Sequence, residues 1–237
     1  MPIQDKVVLI TGASSGIGEA TALELSQRGA KLILAARRQE RLAELAAKLS
    51  GPAFFLPTDV TDVEQVKALV EQGIAHFGHL DILVNNAGLG HMSPMIEAPL
   101  EDWTRMVNVN IQGFLNVLHT ALPHLVESKG DLVNLASVAA HNVWPNSVVY
   151  AGTKHFVKVV SKGLRLELRD KVRILNLSPG AVETEFIEQV THPEIRAQYE
   201  KAFQGALLSS DIAKVIADAL DSDKRMVFSE IIIRPNK

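Results

Sequence analysis

Read as apolar and polar positions, the chain alternates between two periods. Short runs are apolar at almost every position: Val7–Thr11, Lys31–Ala36, Ala53–Pro57, Leu80–Asn85, Asp131–Ser137, Val172–Ser178 and Met226–Ile233. Between them lie stretches whose apolar residues recur every three or four positions: Gly16–Arg28, Arg38–Leu49, Asp62–Phe77, Glu101–Val126, Val148–Leu168 and Ser210–Leu220. The first kind predicts strands buried on both faces, the second amphipathic helices. Their alternation predicts right-handed βαβ crossovers and an α/β fold built on a parallel sheet. No linker, repeat or low-complexity segment divides residues 1–237, so a single domain is expected. One segment departs from the pattern. Ala181–Leu208 is long and mixed, and its weak helical spacing (Phe186, Val190, Ile195, Tyr199) is broken by Thr191-His192-Pro193. An insertion placed after a late strand predicts a substrate-binding lid over residues 181–208, in preference to an ordinary surface helix pair.

Composition narrows the function classes. The 237 residues are 47% hydrophobic with only 5% aromatics, which suits a large aliphatic core. The 24 basic and 27 acidic residues give a net charge of −3 without charged runs, so neither nucleic acid nor an anionic membrane is expected as a partner. Without cysteine there is no disulfide, zinc thiolate or thiol nucleophile. The eight histidines are scattered with no His-x-x-x-His pair, so no metal site is expected. The first strand-like run begins near Lys6, which leaves no room for a signal peptide, and no apolar run approaches the roughly 18 residues of a membrane helix. A cytoplasmic enzyme is the expectation.

Chemistry begins at "VVLITGASSGIGEA", a strand, then Gly12, Gly16 and Gly18, then a helix whose Ile17, Thr21 and Leu25 share a stripe. Gly12 permits the tight turn, Gly16 lets backbone approach a pyrophosphate, and Gly18 permits close packing of helix on strand. The helix N-terminus then offers free N–H groups to the anion. The spacing Thr-Gly-x-x-x-Gly-x-Gly resembles the short-chain dehydrogenase/reductase family. That resemblance implies a three-layer Rossmann fold: a doubly wound, seven-stranded parallel sheet of order 3-2-1-4-5-6-7. The dinucleotide would lie along Ser14, Ser15, Gly16 and Ile17.

The tip of the second strand reads Ala36-Arg37-Arg38 and lacks the carboxylate that binds the ribose 2′-hydroxyl of NAD. A guanidinium there suits the 2′-phosphate of NADP, so Arg37 and Arg38, with Ser14, predict NADP(H). Ser15 stands where some NADP-preferring members of the family carry a basic residue. Asp59 and Val60 after the third strand are implied adenine contacts, although "PTDVTD" is also an ordinary capped turn. "DILVNNAG" matches the family motif that supports the sheet and lines the cofactor cleft, here Asn85, Asn86, Ala87 and Gly88.

Asn110 falls on the apolar stripe of its helix, with Met106, Val109, Phe114, Val117 and Ala121. A buried amide without partners costs about 1–3 kcal/mol, so Asn110 is expected to hold something. On spacing alone it is a helix-bridging asparagine. The resemblance implies the catalytic asparagine, which anchors a water that relays protons to the lysine. In "VVYAGTKHF", Tyr150 and Lys154 lie one turn apart on one helix face, and Ser137 closes the fifth strand. Together these four match the family tetrad Asn-Ser-Tyr-Lys in order. Tyrosine's usual pKa of about 10 is too high for exchange near neutrality, so Lys154 is expected to lower it. Small Gly152 and Thr153 are expected to let the helix pack closely.

Pro179 and Gly180 resemble the family's nicotinamide-facing turn, with Val182 as an implied carboxamide contact and Thr184 as one to the carboxamide or the pyrophosphate. The substrate pocket is expected from Leu89, His91, Met92, Ser137, Val138, His141, Val143, Trp144, Phe186 and Val190, mostly apolar and without an arginine clamp. The implied activity is reversible NADP(H)-dependent reduction of a ketone or aldehyde, with Tyr150 as general acid and base. A 3-hydroxy acid dehydrogenase of serine type, or an NAD-dependent alcohol dehydrogenase, is the alternative within the family. A non-catalytic dinucleotide sensor is disfavoured because tyrosine and lysine are both present. A sugar-nucleotide epimerase is disfavoured because only about 60 residues follow the sixth strand. Family members are usually tetramers or dimers, so a homotetramer or homodimer is expected, with Val149, Phe156, Val160, Leu164 and Leu168 as a second apolar stripe toward a partner.

Overall fold

The computed structural model describes residues 3–190 and 192–236. Strands β1 (Val7–Thr11), β2 (Lys31–Ala36), β3 (Ala53–Pro57), β4 (Ile82–Asn85), β5 (Asp131–Leu135) and β6 (Arg173–Pro179) are followed by β7 (Val182–Glu183), β8 (Leu207–Leu208) and β9 (Glu230–Ile233). Seven of them form one parallel sheet in the order β3-β2-β1-β4-β5-β6-β9. The expected Rossmann order is therefore met. The seventh sheet strand is ninth along the chain only because two short strands intervene.

Helices α1 (Gly16–Gln27), α2 (Gln39–Lys48), α3 (Val63–Phe77), α4 (Leu100–Val107), α5 (Phe114–Ser128), α6 (Val148–Glu167), α7 (Pro193–Ala202) and α8 (Ser209–Asp221) complete the chain. The strands alternate their side chains between two cores. Val8, Ile10, Leu32 and Leu34 meet Ala22 and Leu25 of α1, Leu42 and Leu45 of α2, and Ile212 and Ile216 of α8. On the opposite face Val7, Leu9, Ile33 and Leu83 meet Val66 and Leu69 of α3, Val117 and Leu125 of α5, and Val157 of α6. Each such fully buried aliphatic side chain contributes about 1.5–3 kcal/mol, so strands apolar at every position are what a sheet covered on both faces requires.

Three details depart from the sequence pattern. Glu101–Val126 is not one helix: α4 and α5 are joined by a π-helical segment, Asn108–Gly113, around the buried Asn110. Phe156, Val160, Leu164 and Leu168 pack on the sheet-side core and do not form a free second stripe; the exposed apolar residues of α6 are Val148, Val159 and Leu166. Gly152 is exposed with nothing within 4 Å of where a Cβ would stand, so close packing on α6 falls to Thr153 alone.

Residues 181–208 leave and return at one point. Val182 pairs with Leu207 and Glu183 with Leu208, enclosing a 3-10 turn at Glu185–Gln189 and α7. Val190 and Ile195 close a small core with Met92, against which Tyr150, Phe186 and Tyr199 pack. Thr191 lies outside the described residues. Among the described residues no helix is long and apolar enough to cross a membrane.

Candidate active site

The carboxyl ends of β1, β4, β5 and β6 open into one cleft, as parallel sheets do where the strand order reverses, here between β1 and β4. Gly12 and Gly16 turn the chain after β1 with φ of 67° and 57°, a region that side chains strain. Gly18 packs beneath the turn, where an added Cβ would stand 2.3 Å from the Gly12 carbonyl oxygen. Asn86 fixes the turn from β4. Its Nδ2 donates to the Thr11 carbonyl at 2.8 Å, and the Thr11 hydroxyl accepts from the backbone N–H of Asn86 (3.0 Å) and Ala87 (3.1 Å). Asn85 lies deeper and donates to the Phe114 carbonyl (3.1 Å). Ser15 caps α1 in an extended conformation with no side-chain hydrogen bond to the helix, so the first turn of α1 keeps its N–H groups facing the cleft.

This end of the cleft is a polar chamber of about 420 Å³, lined by the glycine turn from Gly12 to Ile17 without Ala13, by Ala87, Gly88 and Leu89, and by Asp59 and Val60. Asp59 also holds its own turn, accepting from the Thr61 N–H (2.9 Å) and hydroxyl (2.8 Å), while Asp62 caps α3. At the tip of β2, Arg37 and Arg38 line the chamber but differ in what they hold. Arg38 donates to the Ser14 hydroxyl at 3.1 and 3.2 Å and pairs with Glu185 at 2.9 Å. Arg37 is exposed and makes no ion pair among the described residues. The carboxylate missing from the β2 tip is thus matched across the cleft by Glu185, 147 residues on.

Six residues line both this chamber and a second one: Ile17, Ala136, Tyr150, Pro179, Thr184 and Phe186. Tyr150 sits in the first turn of α6, with Ser137 lining the same chamber. Burial against Phe186, whose ring centroid is 5.3 Å away, pushes the phenol up to about 12, and the nearby Ser137 side chain only partly opposes this. Lys154 follows one turn later. It is buried, donates to the Leu135 carbonyl at 2.8 Å and lies 5.9 Å from the Tyr150 ring centroid. Burial pushes the amine down to about 8. Desolvation dominates both groups and outweighs any lowering of the tyrosine by Lys154, whose amine also bonds the end of β5.

Asn110 lines neither chamber. Its Oδ1 accepts from the Leu89 N–H (2.9 Å), and its Nδ2 donates to the Leu89 carbonyl (2.8 Å) and the Thr153 hydroxyl (3.0 Å). Thr153 in turn donates to the Tyr150 carbonyl at 2.7 Å. A residue expected only to be small thus ties the Asn110 segment to the Tyr150 turn. The signal for it was a hydroxyl on the buried side of an apolar helix.

The second chamber holds about 670 Å³ and is lined by Met92, Ser137, Val138, Trp144, Gly180 and Val182, with Gln198 and Tyr199 of α7. Five expected pocket residues are elsewhere, Leu89 among them in the first chamber. His91 is buried away from the cleft, its Nδ1 2.9 Å from the Gln189 carbonyl. His141 faces Ser178 (3.2 Å), Glu230 (3.2 Å) and Lys158 (2.9 Å), and burial followed by the Lys158 charge lowers its pKa. Val143 is 59% exposed and Val190 is sealed in the small core with Ile195 and Met92. Both ring nitrogens of His141 and the Nδ1 of His91 find partners away from the cleft, so the rings turn there, although His91 Nε2 is buried without one. Arg234, which was not among the expected pocket residues, lines it. Among the described residues no cluster of three potential ligands could hold a metal.

A family model described as short chain dehydrogenase matches residues 6–195. An uncharacterized oxidoreductase of Staphylococcus saprophyticus is 40% identical over 239 residues, covering 99% of this chain and 97% of the relative. Among solved structures, the closed form of a serine dehydrogenase complexed with NADP+ is 32% identical with a TM-score of 0.90, over 97% of this chain and 94% of that one. A 3-ketoacyl-(acyl-carrier-protein) reductase of Brucella melitensis complexed with NADH is 29% identical with a TM-score of 0.88, over 98% and 97%.

Proposed function

The chain belongs to the short-chain dehydrogenase family of oxidoreductases, and we propose that it is an NADP(H)-dependent carbonyl reductase of the cytoplasm that interconverts a ketone or aldehyde and its alcohol. One observation carries the reading. Tyr150, with Ser137 beside it, stands on the wall shared by a polar chamber and a mostly apolar one.

The polar chamber fits a dinucleotide. A glycine turn with two positive φ angles and an open helix N-terminus suits a pyrophosphate, with Thr184 against Gly16 and Asn86 holding the turn. Arg37 and Arg38 with Ser14 favour a 2′-phosphate, because no carboxylate stands at the β2 tip. Asp59 and Val60 suit the adenine; Ala87, Gly88, Pro179, Gly180 and Val182 suit the nicotinamide end. When bound, the nicotinamide supplies the hydride that the carbonyl carbon takes up.

The chain's own residues handle the proton. The Tyr150 phenol stays protonated near neutrality and so acts as donor to the carbonyl oxygen, which Ser137 orients. A Lys154 amine titrating near 8 is the local group that stabilises the phenolate left behind. Asn110 holds the backbone of Leu89 and, through Thr153, the Tyr150 turn. Residues 181–208 act as a lid whose Phe186 and Tyr199 close on the tyrosine. A second copy of the chain, in a homotetramer or homodimer, covers exposed Leu100, Val159 and Leu166; a monomeric mass in solution contradicts this.

The test is an NADPH- and NADH-oxidation screen over ketones, aldehydes and oxo acids. Turnover preferring NADPH is expected, and Tyr150→Phe should lower kcat about 10²–10⁴-fold while NADPH binding persists. Preference for NADH overturns the cofactor assignment, and an active Tyr150→Phe variant removes Tyr150 from the mechanism.

A further inference from the structure

Of the groups lining the apolar chamber, one is charged. Among the described residues its lining contains no aspartate, glutamate, lysine or histidine and a single arginine, Arg234. The residue follows β9, the last strand of the sheet. Its backbone is held at the turn after β6: Ile233 pairs with Pro179, the Gly180 N–H donates to the Ile233 carbonyl at 2.7 Å, and the Arg234 Cα lies 3.4 Å from where a Gly180 Cβ would stand. Pro235 follows and also lines the chamber, which limits the chain's freedom there.

The guanidinium has no ion pair or hydrogen bond among the described residues. Glu230, four residues back, is engaged elsewhere, accepting from Asn176 Nδ2 at 2.9 Å and lying 3.2 Å from His141. The cations of the dinucleotide end, Arg37 and Arg38, lie in the other chamber. An unpaired, solvent-exposed arginine on a fixed backbone at the edge of an apolar cavity is a recognition element for a planar anion, which it engages with two parallel N–H bonds.

We infer that Arg234 is a substrate-specificity residue that binds a carboxylate, and that the preferred substrate is an oxo acid with an apolar chain between its carboxylate and the carbonyl at Tyr150. This rests on the carbonyl reductase reading and names its substrate class. The reaction balances as oxo acid, NADPH and a proton giving hydroxy acid and NADP+. Arg234 touches neither the hydride nor the proton; it selects and orients the acid. The pocket expected from the sequence alone, apolar and without an arginine clamp, is corrected by this placement.

The experiment has a catalytic and an equilibrium arm, each run on the whole chain as wild type, Arg234→Gln and Arg234→Lys. In the first, short- and medium-chain oxo acids are compared with their methyl esters. Wild type should favour acid over ester in kcat/KM, and Arg234→Gln should lose about 10- to 100-fold on the acid, the worth of a charged hydrogen-bonded contact. The ester rate and the KM for NADPH should hold, and Arg234→Lys should keep part of the preference. In the second arm, unreactive hexanoate and hexanamide are titrated by calorimetry. Wild type should prefer hexanoate, and Arg234→Gln should not. Equal handling of acid and ester by wild type, equal losses on both in Arg234→Gln, or a stronger preference for phosphate esters overturns the inference. If no carbonyl is reduced but hexanoate binding depends on Arg234, the anion site stands and the carbonyl reductase reading falls.

Discussion

Lys154 offers a test in which stability reports on the site. The amine is 7% exposed and hydrogen-bonded to the Leu135 carbonyl, and burial lowers its pKa from 10.5 to about 8. Between those values the unfolded chain binds more protons than the folded one, so stability rises with pH through this window. A displacement from 10.5 to about 8, at about 1.36 kcal/mol for each power of ten in proton affinity, is about 3 kcal/mol of destabilisation near pH 7. By pH 9.5 only about 1.4 kcal/mol of it remains, so about 2 kcal/mol is relieved. Tyr150 works in the opposite direction, since its raised pKa disfavours folding only above 10. Lys154→Met removes the titration and keeps the volume. Urea denaturation of both proteins from pH 7 to 9.5 should show wild type gaining about 2 kcal/mol on the variant, or about 4–8 °C in Tm for a chain of this size. Other titrating groups cancel in the difference. A difference that stays flat across this range refutes the argument that Lys154 is held by a dry environment.

The glycines give a paired test: Gly18→Ala forces a Cβ to within 2.3 Å of a backbone oxygen and should cost about 1–3 kcal/mol or more, whereas Gly152→Ala meets open space on α6 and should gain about 0.5–1 kcal/mol. Thermal melts of the two decide, and a loss in Gly152→Ala would mean that a partner packs there. Thr153→Val keeps shape but removes the bonds to Asn110 and the Tyr150 carbonyl. It should cost about 1–3 kcal/mol and lower kcat with little change in the KM for NADPH, and Thr153→Ser should restore both; kcat unaffected by Thr153→Val would reduce Thr153 to a packing residue.

What could be read in advance follows from which quantity each feature depends on. The strands of the sheet's middle were legible because burial on both faces leaves an unbroken apolar run, whereas the sheet order was implied by the family resemblance alone. The last strand was less legible: Met226, Val227 and Phe228 are apolar but exposed, and β9 begins only at Glu230, where pairing with Asn176 starts. The π-helical segment at Asn108–Gly113 was hidden because apolar spacing continues through it, although the buried Asn110 marked the place. The identity of Asn110 predicted that it must bond something; only the fold shows that this is the Leu89 backbone and Thr153.

The misplaced residues share one cause. His91 and His141 lie near the cleft along the chain, but each ring turns toward a polar partner distant in sequence, the Gln189 carbonyl of the 3-10 turn and Glu230 of β9. Arg234 erred in the other direction. Its strand is the last of a parallel sheet, so its carboxyl end opens on the same crevice as the others, and the residue after Ile233 was as strong a pocket candidate as those after β4 and β5. The rule that located Ser137 also locates Arg234, and the charge that decides which substrates enter sits at the strand end farthest along the chain from the glycine turn.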